Sequence, residues 1–151
     1  MSWFRRVTAD ISCVADAIEW YEAQLEQARP ETSLRGNVEK NARDLPGIIE
    51  QRFNQLQEIE AILEHLNIEL RRLKSNHFKR YLEHYNRAMS SRDADRYCEG
   101  EREVVEMQQL INEFALVRNK FQGLIKAIDT KQFMISNITR LRVAGMEDAS
   151  V

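Results

Sequence analysis

Leucine and isoleucine recur every three or four residues along one stretch of the chain, at Leu56, Ile59, Leu63, Leu66, Leu70 and Leu73. A second series keeps the same spacing: Val104, Met107, Ile111 and Phe114, then Phe121, Ile125 and Ile128. Arg118 sits in its seam, and Leu110, Val117 and Leu124 widen the stripe. Recurrence of this kind over several heptads predicts helices that bury one stripe in coiled-coil-like packing. The first helix is expected from about Thr8 to Ala28, capped by Thr8 or Asp10 and ended at Pro30. Residues 31–45 are polar, with Gly36 and Asn37, and read as a loop or weak helix. Asp44-Leu45-Pro46 looks like a second start, since proline is tolerated in a first turn.

From Pro46 to Met89 no further proline occurs, and no glycine after Gly47. Those residues make a rod of roughly 65 Å at 1.5 Å per residue. Such a rod is too long for one compact bundle of this chain, so part of it is expected to pack on another subunit. Residues 90–95, SSRDAD, break it. A third helix is expected from about Asp95 to Asp129 and a shorter fourth from Lys131 to Val143. The organisation is thus a single all-α domain, an elongated helical hairpin or bundle. Residues 1–45 hold the N-terminal helix and loop, 46–89 the long helix and 95–143 the C-terminal helices. Residues 144–151 are a frayed tail. The fourth segment concentrates Phe133, Met134, Ile135, Ile138 and Leu141 and is the expected assembly element. A helix so short is marginal in water and must dock somewhere.

The first seam changes character when it is continued past Leu73. In the same rhythm it reaches His77, Arg80, His84 and Arg87. One position round the helix lie Phe78, Tyr81 and Tyr85. Burying two arginines in an apolar seam costs several kcal/mol each unless they are paired. The seam is therefore expected to open onto water or a ligand. Cations beside stackable rings suit single-stranded nucleic acid, the charges meeting phosphates and the rings meeting bases. Lys74, Lys79, Arg92 and Arg96 complete the candidate set. Two readings of Phe78, Tyr81 and Tyr85 stand at this point: base-stacking platforms, or core after a register shift.

The charge pattern sharpens this. The chain's formal charge is only −2. Residues 71–96 nevertheless carry eight basic and three acidic side chains, and residues 118–142 carry six and one. The acidic excess lies in residues 10–70 and 97–114. Localised basic segments in an acidic chain suggest a polyanion site, or else solvated helix faces. Five glycines and two prolines in 151 residues leave few breakers, in keeping with helices. No apolar run reaches membrane-spanning length, and the N-terminus has no secretory signature. A cytoplasmic protein without a membrane partner is expected. Cys13 and Cys98 are isolated and read as structural thiols. No glycine-rich phosphate loop occurs. None of His65, His77 or His84 has a Glu three residues before it, so the Glu-x-x-His signature of di-iron bundles is missing. No metal, cofactor or catalytic activity is expected.

Three motifs carry a resemblance. Phe78, Lys79, Leu82, Glu83 and Tyr85 follow a Leu-Lys-x-x-Leu-acidic-x-Tyr pattern, with Phe78 in place of its first leucine. Asp95, Arg96, Tyr97 and Glu101 match Asp-Arg-Tyr-x-x-x-Glu, and Phe133, Ile135, Ile138 and Arg142 match Phe-x-Ile-x-x-Ile-x-x-x-Arg. In this order and spacing the chain, over residues 78–142, resembles the UvsY-like recombination mediator proteins of T-even-type bacteriophages. The family has a second basic residue two after the Lys; here that place is Tyr81, and Arg80 is its basic neighbour. The resemblance implies a helical protein that forms a homo-oligomeric ring, a hexamer or heptamer, in the cytoplasm of the infected host cell. It implies binding to single-stranded DNA. It also implies loading of a UvsX-like phage recombinase onto DNA covered by the phage single-strand-binding protein. The competing expectation is a non-enzymatic helical scaffold or adaptor that oligomerises and binds acidic protein partners.

Overall fold

The computed structural model describes residues 1–84 and 89–145. Those residues form five α-helices and no strand, as the apolar spacing predicts. They are α1 (Trp3–Ala9), α2 (Val14–Ala28), α3 (Val38–His84), α4 (Ser91–Gly100) and α5 (Arg102–Val143). Short 3-10 turns, Ile11–Cys13 and Arg29–Thr32, flank α2.

α3 and α5 form a long antiparallel hairpin. His77, late in α3, meets Glu103 at the start of α5. Leu45, Ile49 and Phe53, early in α3, share a groove with Gln132 and Ile135 near the end of α5. Their 47 and 42 residues make rods of about 70 and 63 Å. α2 runs alongside α5, its Tyr21 ring edge-on to both Phe114 and Phe121. α1 packs on α3, where the Phe4 N–H donates to Glu58 Oε1 at 2.8 Å. α4 covers the far end of the hairpin, with Ala94 and Cys98 buried beneath it.

The predicted seams are the core. Leu56, Ile59, Leu63, Leu66 and Leu70 of α3 are buried, as are Val104, Ile111, Phe114, Phe121 and Ile128 of α5. Val14, Ala17 and Tyr21 close the core from α2. The Tyr21 hydroxyl is buried there, and Glu58, which already accepts the Phe4 N–H, lies outside hydrogen-bonding geometry with it. Desolvation, and after it the Glu58 charge, push the Tyr21 pKa up, so the hydroxyl stays protonated.

Four boundaries differ from expectation, the first being that residues 91–95, expected as a break, already belong to α4. The helix expected from Thr8 is two helices, because Asp10 adopts extended backbone, closes α1 through its N–H to the Arg6 carbonyl, and caps the next turn. Its carboxylate accepts from the Ser12 N–H at 3.0 Å and hydroxyl at 2.7 Å, which lowers its pKa. The long helix starts at Val38 and not at Pro46, because Asn37 Oδ1 accepts the Lys40 N–H at 3.0 Å and caps it. Pro46 therefore lies inside α3, and α3 takes in much of the polar stretch expected to be a loop. The expected break near residue 130 is absent. The break falls at Glu101 instead, a single extended residue between α4 and α5.

These changes remove one reason for a second subunit. From Arg102 on, the third and fourth expected helices are one continuous helix, so α3 finds a partner of nearly its own length within the chain. The expected assembly stripe also splits. Ile135 and Ile138 are 9% and 8% exposed and belong to the chain's own core, while Phe133, Met134 and Leu141 remain 72%, 49% and 40% exposed.

Candidate nucleic-acid interface

The tip of the hairpin brings the end of α3, α4 and the start of α5 together. Ser90 caps α4, accepting the Asp93 N–H and donating its hydroxyl to Asp93 Oδ2 at 2.8 Å. α4 packs against α3 and buries Ala94 and Cys98. Burial, followed by the charges of Asp95 and Glu101, raises the pKa of the Cys98 thiol. At α5, Glu101 occupies the N-cap position but makes no side-chain cap. Its carboxylate instead accepts the hydroxyl of Tyr81.

The seam does not open onto water at His77. That side chain is 4% exposed and held between two charged neighbours. Arg80 Nη2 donates to Nδ1 at 3.0 Å. An arginine can only donate, so Nδ1 is the acceptor and the ring proton is on Nε2. That proton is donated to Glu103 Oε2 at 3.2 Å. The chain Arg80–His77–Glu103 ends in opposite charges and is satisfied internally. His77 is thus a buried histidine linking α3 to α5, with both ring nitrogens engaged within the chain rather than turned to solvent as expected.

Tyr81 is likewise engaged. Its ring stacks on Tyr97, centroids 5.6 Å apart and planes 28° apart, and its hydroxyl is held by Glu101. Its candidacy as a base-stacking platform gives way to this intrachain role. Among the described residues, Tyr97 is a ring presented outward at the tip, 56% exposed. Phe78 is half-buried. Lys74 lines a groove with Glu99, Val104 and Gln108, facing α4 and α5. Of the other candidates, Lys79, Arg80, Arg92 and Arg96 are exposed around the tip. Tyr85, Arg87 and the side chain of His84 lie outside the described residues.

The acidic run at the start of α5 stands against the basic end of α3, so the tip is a mixed-charge surface. In the sequence Glu101 stands out as the last residue of the Asp-Arg-Tyr-x-x-x-Glu element, and Glu103 does not stand out. Nothing in the sequence shows that they cross to Tyr81 and His77. Among the described residues no group of three or more His, Cys, Asp or Glu side chains has the arrangement of a metal site, and no helix is long and apolar enough to cross a membrane. Comparison with protein-family models, with curated proteins and with solved structures finds no match.

Proposed function

We propose that the protein binds single-stranded DNA and acts as a recombination mediator. In this role it promotes loading of a phage recombinase onto DNA covered by single-strand-binding protein. One observation carries the reading. Two of the three segments of the resemblance, separate in sequence, meet at one place: Tyr97 and Glu101 of the Asp-Arg-Tyr-x-x-x-Glu element both engage Tyr81, which lies within the first segment at a position the motif does not match. Around that junction Lys79, Arg80, Arg92 and Arg96 are exposed. The motifs thus have a physical task, bracing the short helix that carries two of these cations against the helix that carries the other two. Single-stranded DNA bound there is held by phosphate contacts, with Tyr97 as the ring available to a base.

The assembly part of the proposal, a homo-oligomeric ring, rests on Phe133, Met134 and Leu141, exposed on α5 at the opposite end from the tip. Scattered exposed apolar residues are ordinary, but three large ones within nine residues of one helix favour a covered surface.

The test is fluorescence anisotropy with a labelled single-stranded oligonucleotide across a salt series. Lys79→Ala with Arg96→Ala is expected to weaken binding to all sequences alike. The slope of log K against log[salt] should shrink by about 0.7 for each phosphate that is no longer neutralised. A correctly folded double variant with unchanged affinity and slope removes the tip from the reading. Native mass spectrometry tests assembly, with Phe133→Ser and Met134→Ser expected to reduce the mass to that of smaller species.

A second reading, the helical scaffold, is favoured by the internal pairing of Arg80 and His77 with Glu103, which uses part of the basic stripe within the chain. Oligomers that form normally but show no salt-dependent oligonucleotide binding select it.

A further inference from the structure

We infer that a second anion site, fitted to a phosphate group, lies at the opposite end of the hairpin, in a cleft between the start of α3, the turn after α2 and Lys131 of α5. The cleft is about 300 Å³ and is lined by Arg35, Lys40, Asp44, Glu31 and Lys131 among others. Its floor is the unusual part. Lys131 is only 6% exposed, and its one side-chain hydrogen bond among the described residues runs from Nζ to the Glu31 backbone carbonyl at 3.0 Å. No carboxylate pairs with it among the described residues. The carboxylate of Glu31, whose backbone carbonyl Lys131 meets, is committed to Arg52, which donates to its two oxygens at 2.9 and 2.6 Å.

A buried ammonium needs both hydrogen-bond acceptors and opposite charge. Lys131 has three donors, and a neutral carbonyl satisfies one. On the rim, Arg35 and Lys40 are exposed and make no ion pair among the described residues. Asp44 is the one lining carboxylate without a cationic partner among those residues. Of the lining residues, Arg35, Lys40 and Lys131 outnumber Glu31 and Asp44, and Glu31 is paired with Arg52 outside the lining, so the cleft is net positive. A phosphate group supplies what is missing: a delocalised negative charge and several strong acceptors, met by one desolvated cation below and two mobile ones above. Two sources share this chemistry, a free phosphate and the backbone of a nucleic acid strand.

The experiment uses the full chain and two probes, inorganic phosphate and the labelled oligonucleotide. Thermal unfolding is followed in phosphate and in sodium chloride of equal ionic strength. Phosphate is expected to raise the wild-type midpoint by about 2 °C or more over chloride. Arg35→Ser with Lys40→Ser, both on the surface, should abolish that rise. Lys131→Met should abolish it too while keeping the fold in chloride. If Lys131→Met does not fold, the rim pair carries the test alone. A rise abolished in the rim variant with an unchanged oligonucleotide salt slope assigns the cleft to free phosphate. A slope reduced by about 0.7 per phosphate assigns it to the nucleic-acid backbone. A midpoint rise equal in wild type and rim variant, or no rise together with an unchanged slope, overturns the site. The tip variants are separate residues at the other end, so failure here leaves the proposed DNA contacts at the tip standing, and the reverse.

Discussion

Where α2 lies against the α3–α5 pair, the inward side chains are Tyr21, Ile59, Ile62, Phe114 and Phe121, each without measurable exposure. Where α4 lies against the same pair, the inward side chains include His77 and Tyr81, tied to Glu103 and Glu101. The same two helices thus run through an oily waist and a polar tip. The waist is stabilised without direction, by area removed from water and by ring contacts. The tip is held by hydrogen bonds whose partners must be present and correctly placed. An apolar waist tolerates little volume change. A polar tip can exchange internal partners for a ligand's, which suits it to binding.

The strongest way to break this comparison is at the waist. Phe121→Ala should cost about 3–5 kcal/mol, a large share of the roughly 5–15 kcal/mol that holds a typical domain together. The expected result is a urea midpoint lowered throughout the molecule, with tip and waist unfolding together. A loss under about 1 kcal/mol would mean that the α2–α5 contact contributes little to stability.

A smaller effect is expected at the tip. Tyr97→Ala removes a stacked pair worth about 0.5–1.5 kcal/mol. Backbone amides of α4 should exchange with solvent faster, while those of α5 beyond Ile111 are unchanged. Uniform acceleration along α5 would show that tip and waist open as one unit.

The smallest effect is pH-dependent. The Cys98 pKa is raised by burial, so the native state favours the neutral thiol. A group raised in the native state contributes fully below its unfolded value, about 8.5, and loses that contribution as pH rises through the native value. The stability of the wild type relative to Cys98→Ala is therefore expected to fall between about pH 8 and pH 10. A constant difference across that range would show that α4 does not keep Cys98 buried.

The waist was legible because apolar period is a local property: the spacing of Leu56 to Leu70 and of Val104 to Ile128 names the buried faces directly. The tip was half legible. His77 and Arg80 were visible as an interruption of the seam, and the expectation that unpaired arginines would not be buried was sound physics. What answered it, Glu103 from across the hairpin, depends on how two helices meet, and no local pattern encodes that. Helix limits failed for a related reason. Pro46 and the polar residues around it read as a start, yet Asn37 caps the helix two turns earlier and packing carries it through the proline. The split of the C-terminal stripe, with Ile135 buried and Phe133 exposed, became clear only once α5 proved continuous past residue 130.

That continuity makes α5 a ruler. Glu103 marks its tip end and Lys131 the cleft at the other, and no break intervenes. At 1.5 Å per residue the two levels stand about 42 Å apart along the axis. A stacked strand advancing about 3.4 Å per nucleotide needs roughly twelve nucleotides to cover that interval. On the proposed reading, a shorter strand kept at that stacked rise reaches one end only, whereas a more extended strand needs fewer nucleotides to reach both. The helix therefore fixes the interval that any ligand joining the two ends has to span.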